Sequence, residues 1–241
     1  MIKIQLIDKP LQLTPEKEAE LVKKYKETGS SVWQQDYIKS ALLKMTNGKC
    51  AYSEQILGER SAFMEIDHFR CKKLYPDEVV RWGNLLPSCK KCNGAKRETD
   101  VQQTPIVNPL FDNPKDYLYI KGLRYYAIRN NVKGENTRQV LDLNNESQFI
   151  TPKGKLIDKI EDYFNFILQN PSGGLSLRTL KKILEQSGPK YEFSAAISTY
   201  ILYESKTYRQ IESYLKNNNL WDDELERLKS VLLEIAMPKP R

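Results

Sequence analysis

The chain has 241 residues, with 38 Lys and Arg residues against 31 Asp and Glu residues and a net charge of +7. Hydrophobic residues make up 40% and charged residues 29%, a mixture that buries a core and excludes wholesale disorder. No run of 18 apolar residues and no signal-peptide core occurs, so we expect a cytoplasmic protein that does not enter a membrane.

Residues 1–48 predict a short extended start and two amphipathic helices. Thr14 is suited to cap the first helix, with Pro15 at its first position, and Gly29 is the expected end. For the second helix, Gly48 is the expected stop. Apolar residues recur before it at helical spacing, and they are Val32, Trp33, Tyr37, Ile38, Ala41 and Leu42.

Residues 49–150 contain all four cysteines and the only histidine, His68. Four cysteines are too few for a disulfide scaffold, so metal binding or plain burial is the better interpretation. A single histidine excludes any site that needs two. The segment at 64–68 has the apolar flanks of a strand, and two more short strands are predicted at 117–120 and 123–128.

Residues 151–241 predict a wholly helical region. One helix carries an apolar face, a break follows at 171–174, and further helices are expected around 177–184, 193–203, 208–215 and 222–235. Asp222 or Asp223 is suited to cap the last of these. Nothing in this region has the pattern of catalytic machinery, so we interpret it as a helical bundle or an interaction surface.

The residues that suggest chemistry lie between 67 and 96. They are Asp67-His68, then Asn84-Leu-Leu, then Cys89-x-x-Cys92-Asn93-x-x-Lys96. The Asp-His pair and Asn84 are weak signals alone, and the Cys-x-x-Cys pair is a moderate signal for a zinc knuckle. Their order and spacing together resemble the HNH, or ββα-metal, endonuclease motif. The resemblance implies an α+β fold: a mainly helical chain with a central ββα-metal motif and a C-terminal helical region.

The resemblance also implies a role for each motif residue. His68 matches the general base that takes a proton from the attacking water, and an imidazole suits that task at neutral pH. Asp67 and Asn93 match ligands of a catalytic ion, which hard oxygen donors favour as Mg²⁺ or Mn²⁺. Asn84 matches a residue that braces the loop and orients His68. Lys96 matches a basic residue that holds the scissile phosphate.

The cysteines resemble the structural zinc site of many HNH proteins, with one departure. Cys50, Cys89 and Cys92 match ligands, whereas Ser53 stands where a fourth cysteine is expected. Three alternatives stay open: zinc bound by three cysteines and another group, zinc bound by four cysteines including Cys71, or a site that has lost zinc and survives as packing.

Basic residues surround the motif. Between positions 69 and 98 the sequence has eight positively charged residues and three negatively charged ones. Such an excess of positive charge attracts a phosphate backbone but does not distinguish one base sequence from another. The candidates for nucleic-acid binding are Arg70, Lys72, Lys73, Lys90, Lys91 and Arg97.

Softer similarities extend over residues 1–145. The segments Cys50-Ala-Tyr, Trp82-x-Asn84-Leu-Leu-x-Ser-Cys89, Asn108-Pro109 and Asp116-Tyr-Leu-Tyr-Ile120 resemble the PtuB-like HNH nucleases of Septu and retron antiphage defence systems. The resemblance to that family implies an ABC-type ATPase as a partner. This chain has no phosphate-binding loop of its own, so any use of ATP has to come from that partner. The C-terminal helices are the candidate docking surface.

The resulting hypothesis is a metal-dependent endonuclease, with DNA favoured as its substrate. One alternative is an HNH ribonuclease that cleaves tRNA. Another is a non-catalytic nucleic-acid or protein binding module on an HNH scaffold, which Ser53 favours and the intact motif disfavours. An oxidoreductase that uses Cys89 and Cys92 is weaker still, because the pair lacks a thioredoxin-like βαβ context. The domains expected are a helical lead at 1–48, a nuclease core at 49–150 and a helical region at 151–241.

Overall fold

The computed structural model describes residues 1–58 and 63–240, which divide into two units. The first contains Met1–Tyr117 and Arg129–Leu143, and the second contains Leu118–Ile128 and the chain from Asn144 onward. The predicted lead and most of the predicted nuclease core therefore share one unit, whereas the strands near 118–128 group with the C-terminal helices. Residues 59–62 of the predicted core, and residue 241, lie outside the described residues.

Two helices open the first unit. Helix α1 spans Pro15–Thr28; Thr14 Oγ1 accepts from the Lys17 N–H, and Gly29 ends the helix at φ +67°, as predicted. Helix α2 spans only Asp36–Thr46, so the prediction that it includes Val32 and Trp33 was wrong. Both residues are buried, but they pack from the turns that precede α2. Their helical spacing reflected burial and not helical structure.

A hairpin with a long loop and a short helix forms the centre of this unit. Strand β1 (Met64–His68) pairs antiparallel with β2 (Leu85–Cys89), with Met64 opposite Cys89 and His68 opposite Leu85. Helix α3 (Lys90–Lys96) follows β2 directly and packs on both strands. Helix α4 (Val132–Val140) belongs to the same unit.

The second unit is mainly helical. A hairpin of β3 (Leu118–Lys121) and β4 (Arg124–Ala127) precedes a π-helical turn at Glu146–Ile150. The helices then follow in order: α5 (Thr151–Gln169), α6 (Gly174–Gln186), α7 (Ser194–Thr199), a π-helical turn at Tyr200–Glu204, α8 (Lys206–Asn217) and α9 (Asp223–Ile235). Asp222 caps α9 by accepting from the Leu225 N–H.

The core of the second unit lies between these helices. Phe164 of α5 and Tyr208 of α8 are buried, with ring centroids 5.7 Å apart. Across the described residues the secondary structure is mixed, with helices dominant and two small antiparallel sheets, which confirms the coarse fold class. Among those residues, no helix has both the length and the apolar character that a membrane crossing requires.

Candidate catalytic and metal sites

Asp67 lies at the centre of a buried polar cluster. Adjacent strand residues face opposite sides, so Asp67 shares a face of β1 with Glu65 while His68 faces the other way. The carboxylate is 2% exposed. Its Oδ2 accepts from the Tyr52 hydroxyl at 2.5 Å, and its Oδ1 accepts from Lys96 Nζ at 3.0 Å. Both oxygens are therefore held by donors from outside the strand.

Lys96 provides the counter-charge for this carboxylate. Its side chain is fully buried, and Nζ also donates to the His68 carbonyl oxygen at 2.7 Å. A buried ammonium is tolerated only when it is paired and hydrogen-bonded, and both conditions are met here. The ammonium thus points into the protein in this arrangement, and its predicted contact with a phosphate stays a prediction.

Tyr52 reaches Asp67 because of how its segment lies beside β2. The Ala51 N–H donates to the Pro87 carbonyl at 2.9 Å, which fixes the segment next to the strand. Burial, together with the Asp67 charge, holds the pKa of Tyr52 well above its usual value. Tyr52 therefore stays a neutral phenol and a hydrogen-bond donor near neutral pH.

His68 is buried beneath Trp33. The imidazole and the indole meet edge to face, with ring centroids 4.7 Å apart. Lys72 Nζ lies over the indole ring, 5.0 Å from its centroid. His68 Nε2 lies 2.9 Å from the Val79 carbonyl oxygen, which can only accept, so Nε2 carries the proton. Nδ1 is then the basic nitrogen of the neutral ring.

Burial also sets the charge of His68. Because burial penalises the imidazolium, the pKa falls to about 4, although the Val79 hydrogen bond and the Asp67 charge act in the opposite direction. The ring is therefore neutral at pH 7. A neutral imidazole has the protonation state that a general base requires, but a pKa this low makes His68 a weaker base than the imidazole titrating near neutral pH that we expected.

Asn84 ties the loop between β1 and β2 together. Its Oδ1 accepts from the Arg70 N–H at 2.7 Å, and its Nδ2 donates to the carbonyl oxygens of Arg70 and Glu78, both at 3.1 Å. The side chain is buried. These contacts brace the chain immediately after His68, while an effect on the orientation of the imidazole stays a prediction.

Asn93 lies on α3, one turn before Lys96. It is half-buried, and its Nδ2 donates to Glu65 Oε2 at 2.6 Å. The same face of α3 therefore makes two contacts with the same face of β1, Asn93 with Glu65 and Lys96 with Asp67. The structure thus brings the predicted ligand Asn93 to the strand that carries the predicted ligand Asp67.

Three cysteines form a separate buried cluster. The Sγ atoms of Cys50, Cys89 and Cys92 lie within 4.8 Å of one another. Ser53 Oγ lies 3.7 Å from Cys89 Sγ. Cys71 is buried too, but among the described residues it does not belong to the group of cysteine sulfurs that lie close enough to share a metal ion. This geometry therefore does not support the four-cysteine alternative.

The protonation of this cluster is uneven. Burial opposes ionisation of Cys50, but hydrogen bonds from Cys89 and Cys92 hold its pKa well below the usual value. The hydrogen bond between Cys50 and Cys89 raises the pKa of Cys89 to about 12. The pKa of Cys92 is also raised, first by burial and then by its hydrogen bond to Cys50. The three sulfurs thus favour one shared negative charge.

The donor set fits a soft metal ion. Tetrahedral zinc with bonds of about 2.3 Å holds its sulfurs about 3.8 Å apart, which three thiols already this close satisfy with small movements. The fourth coordination position of such an ion would be filled by a weaker ligand than a thiolate, and Ser53 Oγ lies close enough to the cluster to be that ligand. A cluster of three cysteines able to hold a metal is therefore present.

The predicted basic residues differ in their availability. Arg70 pairs with Glu78 at 2.9 Å, Lys73 with Glu98 at 2.8 Å and Lys91 with Asp142 at 2.8 Å. Lys90 and Arg97 are exposed at the two ends of α3, and Lys72 lies on the Trp33 ring. All six belong to the first unit, together with the cluster around Asp67.

Sequence reasoning missed three residues of this site. The sequence predicts Tyr52 only as part of the Cys50-Ala-Tyr segment that is similar to the family, and Trp33 only as a core residue of a helix. Neither has a local signal that links it to Asp67 or His68, which follow far along the chain. Glu65 did have one, because its spacing of two residues from Asp67 places both on one strand face.

The fold and the site together describe a mixed helix-and-sheet protein with a buried Asp–Lys–Tyr cluster, a neutral histidine and a three-cysteine cluster. The chain is 35% identical to the Septu protein PtuB of Bacillus thuringiensis over 95% of its own length and 93% of that relative. It is 28% identical to the Septu protein PtuB of Bacillus mycoides strain KBAB4 over 83% of its own length and 81% of that relative. The chain therefore belongs to the Septu PtuB family.

Neither a family model nor a solved structure matches the chain. The membership thus rests on these two relatives, which match most of the chain.

Proposed function

We propose that this protein is the nuclease of a Septu antiphage defence system, a metal-dependent endonuclease of the HNH type that hydrolyses phosphodiester bonds. The observation that supports the proposal best is the pair of contacts between α3 and β1. They join Asn93 and Lys96 to the strand that carries Asp67 and ends at His68. These residue types were expected together from the motif, and they are neighbours in space.

The oxygen donors of Asp67 and Asn93 fit Mg²⁺ or Mn²⁺, which both prefer carboxylate and carbonyl ligands. Such an ion, when bound, stabilises negative charge on the phosphate and on the leaving oxygen. Tyr52 and Lys96 hold the Asp67 carboxylate in one orientation. His68 would accept the proton of the attacking water at Nδ1, the nitrogen that the Val79 contact leaves unprotonated. Because His68 and Asp67 face opposite sides of β1, the water and the ion would lie on different sides of the scissile phosphate.

Zinc at the three-cysteine cluster has a structural role in this proposal. Cys89 ends β2 and Cys92 lies in the first turns of α3, while Cys50 comes from the segment beside β2. A metal held by these sulfurs fixes the start of the helix that carries Asn93 and Lys96. It takes no part in hydrolysis.

DNA is the favoured substrate, with tRNA as the alternative. The exposed side chains of Lys90 and Arg97 flank the site on α3 and would contact the phosphate backbone, which both nucleic acids share. Cleavage of plasmid DNA or of tRNA distinguishes these two substrates.

The partner in this proposal is an ABC-type ATPase, and the helical region at 151–241 is its docking surface. Tyr163 and Phe166 are 44% and 43% exposed and lie three residues apart on α5, so they form an exposed aromatic pair on one side of this helix. We expect Tyr163→Glu and Phe166→Glu in the full chain to reduce co-purification with the ATPase. Co-purification at the level of the unchanged chain would contradict this assignment.

The deciding experiment compares the cleavage of plasmid DNA and of total tRNA. The unchanged chain, His68→Ala and the exposed-site control Glu20→Ala are each assayed with Mg²⁺, Mn²⁺ or EDTA, with and without the ATPase. We expect cleavage that EDTA and His68→Ala abolish and that Glu20→Ala leaves unchanged. Cleavage that appears only with the ATPase indicates a nuclease that its partner activates.

A second candidate is a non-catalytic binding module on the same scaffold. The observation that favours it is the saturation of Asp67, whose two oxygens already accept from Tyr52 and Lys96 in a buried setting. Folded protein that binds nucleic acid with salt-dependent affinity, but cleaves neither substrate in any condition, would favour this module over the nuclease.

A further inference from the structure

We propose that Glu65 is a positioning residue that orients the Asn93 amide so that its oxygen, and not its nitrogen, is presented to the divalent cation. This inference rests on the proposed function and adds a residue that the motif itself does not include. Glu65 acts through Asn93 and does not need to touch the ion.

The contact itself defines the orientation. A carboxylate can only accept hydrogen bonds, so the atom of Asn93 that lies 2.6 Å from Glu65 Oε2 has to be the NH₂ nitrogen. With the nitrogen held there, Oδ1 is the other end of the planar amide. Among the described residues no donor is hydrogen-bonded to Oδ1, which leaves its lone pairs available.

The backbone places this amide beside the other predicted ligand. Glu65 and Asp67 are two residues apart on one face of β1, and Asn93 and Lys96 are three residues apart on one face of α3. Asn93 Nδ2 donates to Glu65 at 2.6 Å and Lys96 Nζ donates to Asp67 at 3.0 Å, so α3 and β1 are joined by two neighbouring hydrogen bonds. Asn93 is thereby held against the face of β1 that also carries Asp67.

Orientation matters because the two ends of an amide differ. The oxygen is a ligand for a hard cation, whereas the NH₂ group is a donor that repels it. Without Glu65 the amide loses the hydrogen bond that selects between these two presentations. Partners that orient a ligand in this way change metal affinity by about 10-fold to 100-fold when they are removed.

Glu65 also carries a charge, and that charge has to be separated from its hydrogen bond. Among the described residues no Lys or Arg forms an ion pair with Glu65, so its charge alone could attract a cation. Glu65→Gln removes the charge but keeps an oxygen that can accept from Asn93 Nδ2. Glu65→Ala removes both.

The experiment measures Mn²⁺ binding by calorimetry in the absence of nucleic acid. We expect Glu65→Ala to weaken binding by about 10-fold to 100-fold and Glu65→Gln to stay within a few-fold of the unchanged chain. Glu20→Ala, which removes a carboxylate that is 61% exposed on α1, is the control and should bind as the unchanged chain does.

A second pair of variants tests orientation directly. Asn93→Asp has an oxygen at both ends of the side chain, so it needs no orienting partner. In that background we expect Glu65→Ala to cause no loss of Mn²⁺ affinity. An equal loss in both backgrounds would overturn the inference, and so would a Glu65→Gln variant that binds as weakly as Glu65→Ala.

The outcomes separate this inference from the function beneath it. An unchanged chain that binds Mn²⁺ and cleaves, with Glu65→Ala binding equally well, refutes the role of Glu65 alone. An unchanged chain that binds no Mn²⁺ and cleaves nothing refutes both. If Glu65→Ala does not fold, as judged by circular dichroism, Glu65→Met replaces it, because Met keeps the length of the side chain but offers no oxygen.

Discussion

The buried hydrogen bond from Tyr52 to Asp67 can be removed by deleting a single oxygen atom. Tyr52→Phe leaves Asp67 Oδ2 buried without its donor, and an unsatisfied buried acceptor costs about 1–3 kcal/mol. We expect that decrease in the free energy of unfolding, measured with urea in the presence of EDTA. Tyr75→Phe is the matched control, since Tyr75 also donates to a carboxylate, Asp100, but is half-exposed, so water replaces the lost partner. Equal losses in the two variants would contradict the expectation.

His68 makes stability depend on pH. Its pKa is about 4 in the folded chain and about 6.5 when unfolded, so the unfolded chain binds more protons between these values. The stabilisation is complete above pH 6.5 and is lost as the pH falls toward 4, by about 3 kcal/mol in total. We expect His68→Gln to lack this component of the pH dependence. Because the chain has one histidine, its single imidazole NMR signal reports the same transition, and titration near pH 6.5 in the folded protein would refute the prediction.

At the scale of elements, the sequence predicted what depends on local chemistry. The Thr14 cap, strand β1, the order of the helices in the second unit and the Asp222 cap all follow from short-range patterns, and the structure contains them. The edge-to-face contact of Trp33 with His68 joins residues 35 positions apart, and no local pattern encodes it. Trp33 was assigned to a helix because a buried turn residue and a helical core residue give the same apolar signal. The motif identified Asp67, His68, Asn84, Asn93 and Lys96. It did not identify Tyr52, Trp33 or Glu65, which contact residues of that set, and it did not show which residues are buried.

The junction of β2 and α3 carries a prediction about zinc. Ser53 Oγ lies 3.7 Å from Cys89 Sγ, so a thiol at position 53 can complete a four-thiolate site. Because zinc prefers thiolate to hydroxyl, we expect Ser53→Cys to tighten zinc binding by about tenfold or more, equivalent to about 1.4 kcal/mol. Competition with a chromophoric chelator measures the affinity, and Co²⁺ substitution reports the additional thiolate by absorption.

Cys71→Ser is the control for that experiment, because Cys71 is buried but outside the cluster. It should leave zinc affinity unchanged. A loss in Cys71→Ser as large as the loss in Cys92→Ser would restore the four-cysteine alternative.

At the scale of the whole molecule, the positive charge on the first unit should govern nucleic-acid affinity. Each phosphate contact contributes about 0.9 to the slope of log affinity against log salt. Replacing the exposed Lys90 and Arg97 with Gln should therefore reduce the magnitude of that slope by up to about 2. Lys155→Gln with Lys206→Gln, at exposed positions of the second unit, is the charge-matched control. An equal change in the control would indicate an effect of net charge and not of this surface.

Helix α3 has seven residues, well below the length at which a helix is stable alone in water. Two sets of contacts stabilise it: Cys92 packs in the cysteine cluster, and Asn93 and Lys96 hydrogen-bond to β1. An ion that orders one end prepares the other end for its own ligand at lower entropic cost. If both proposed ions bind, reciprocity requires that each raise the affinity of the other by the same factor, so the two proposed sites would fill cooperatively.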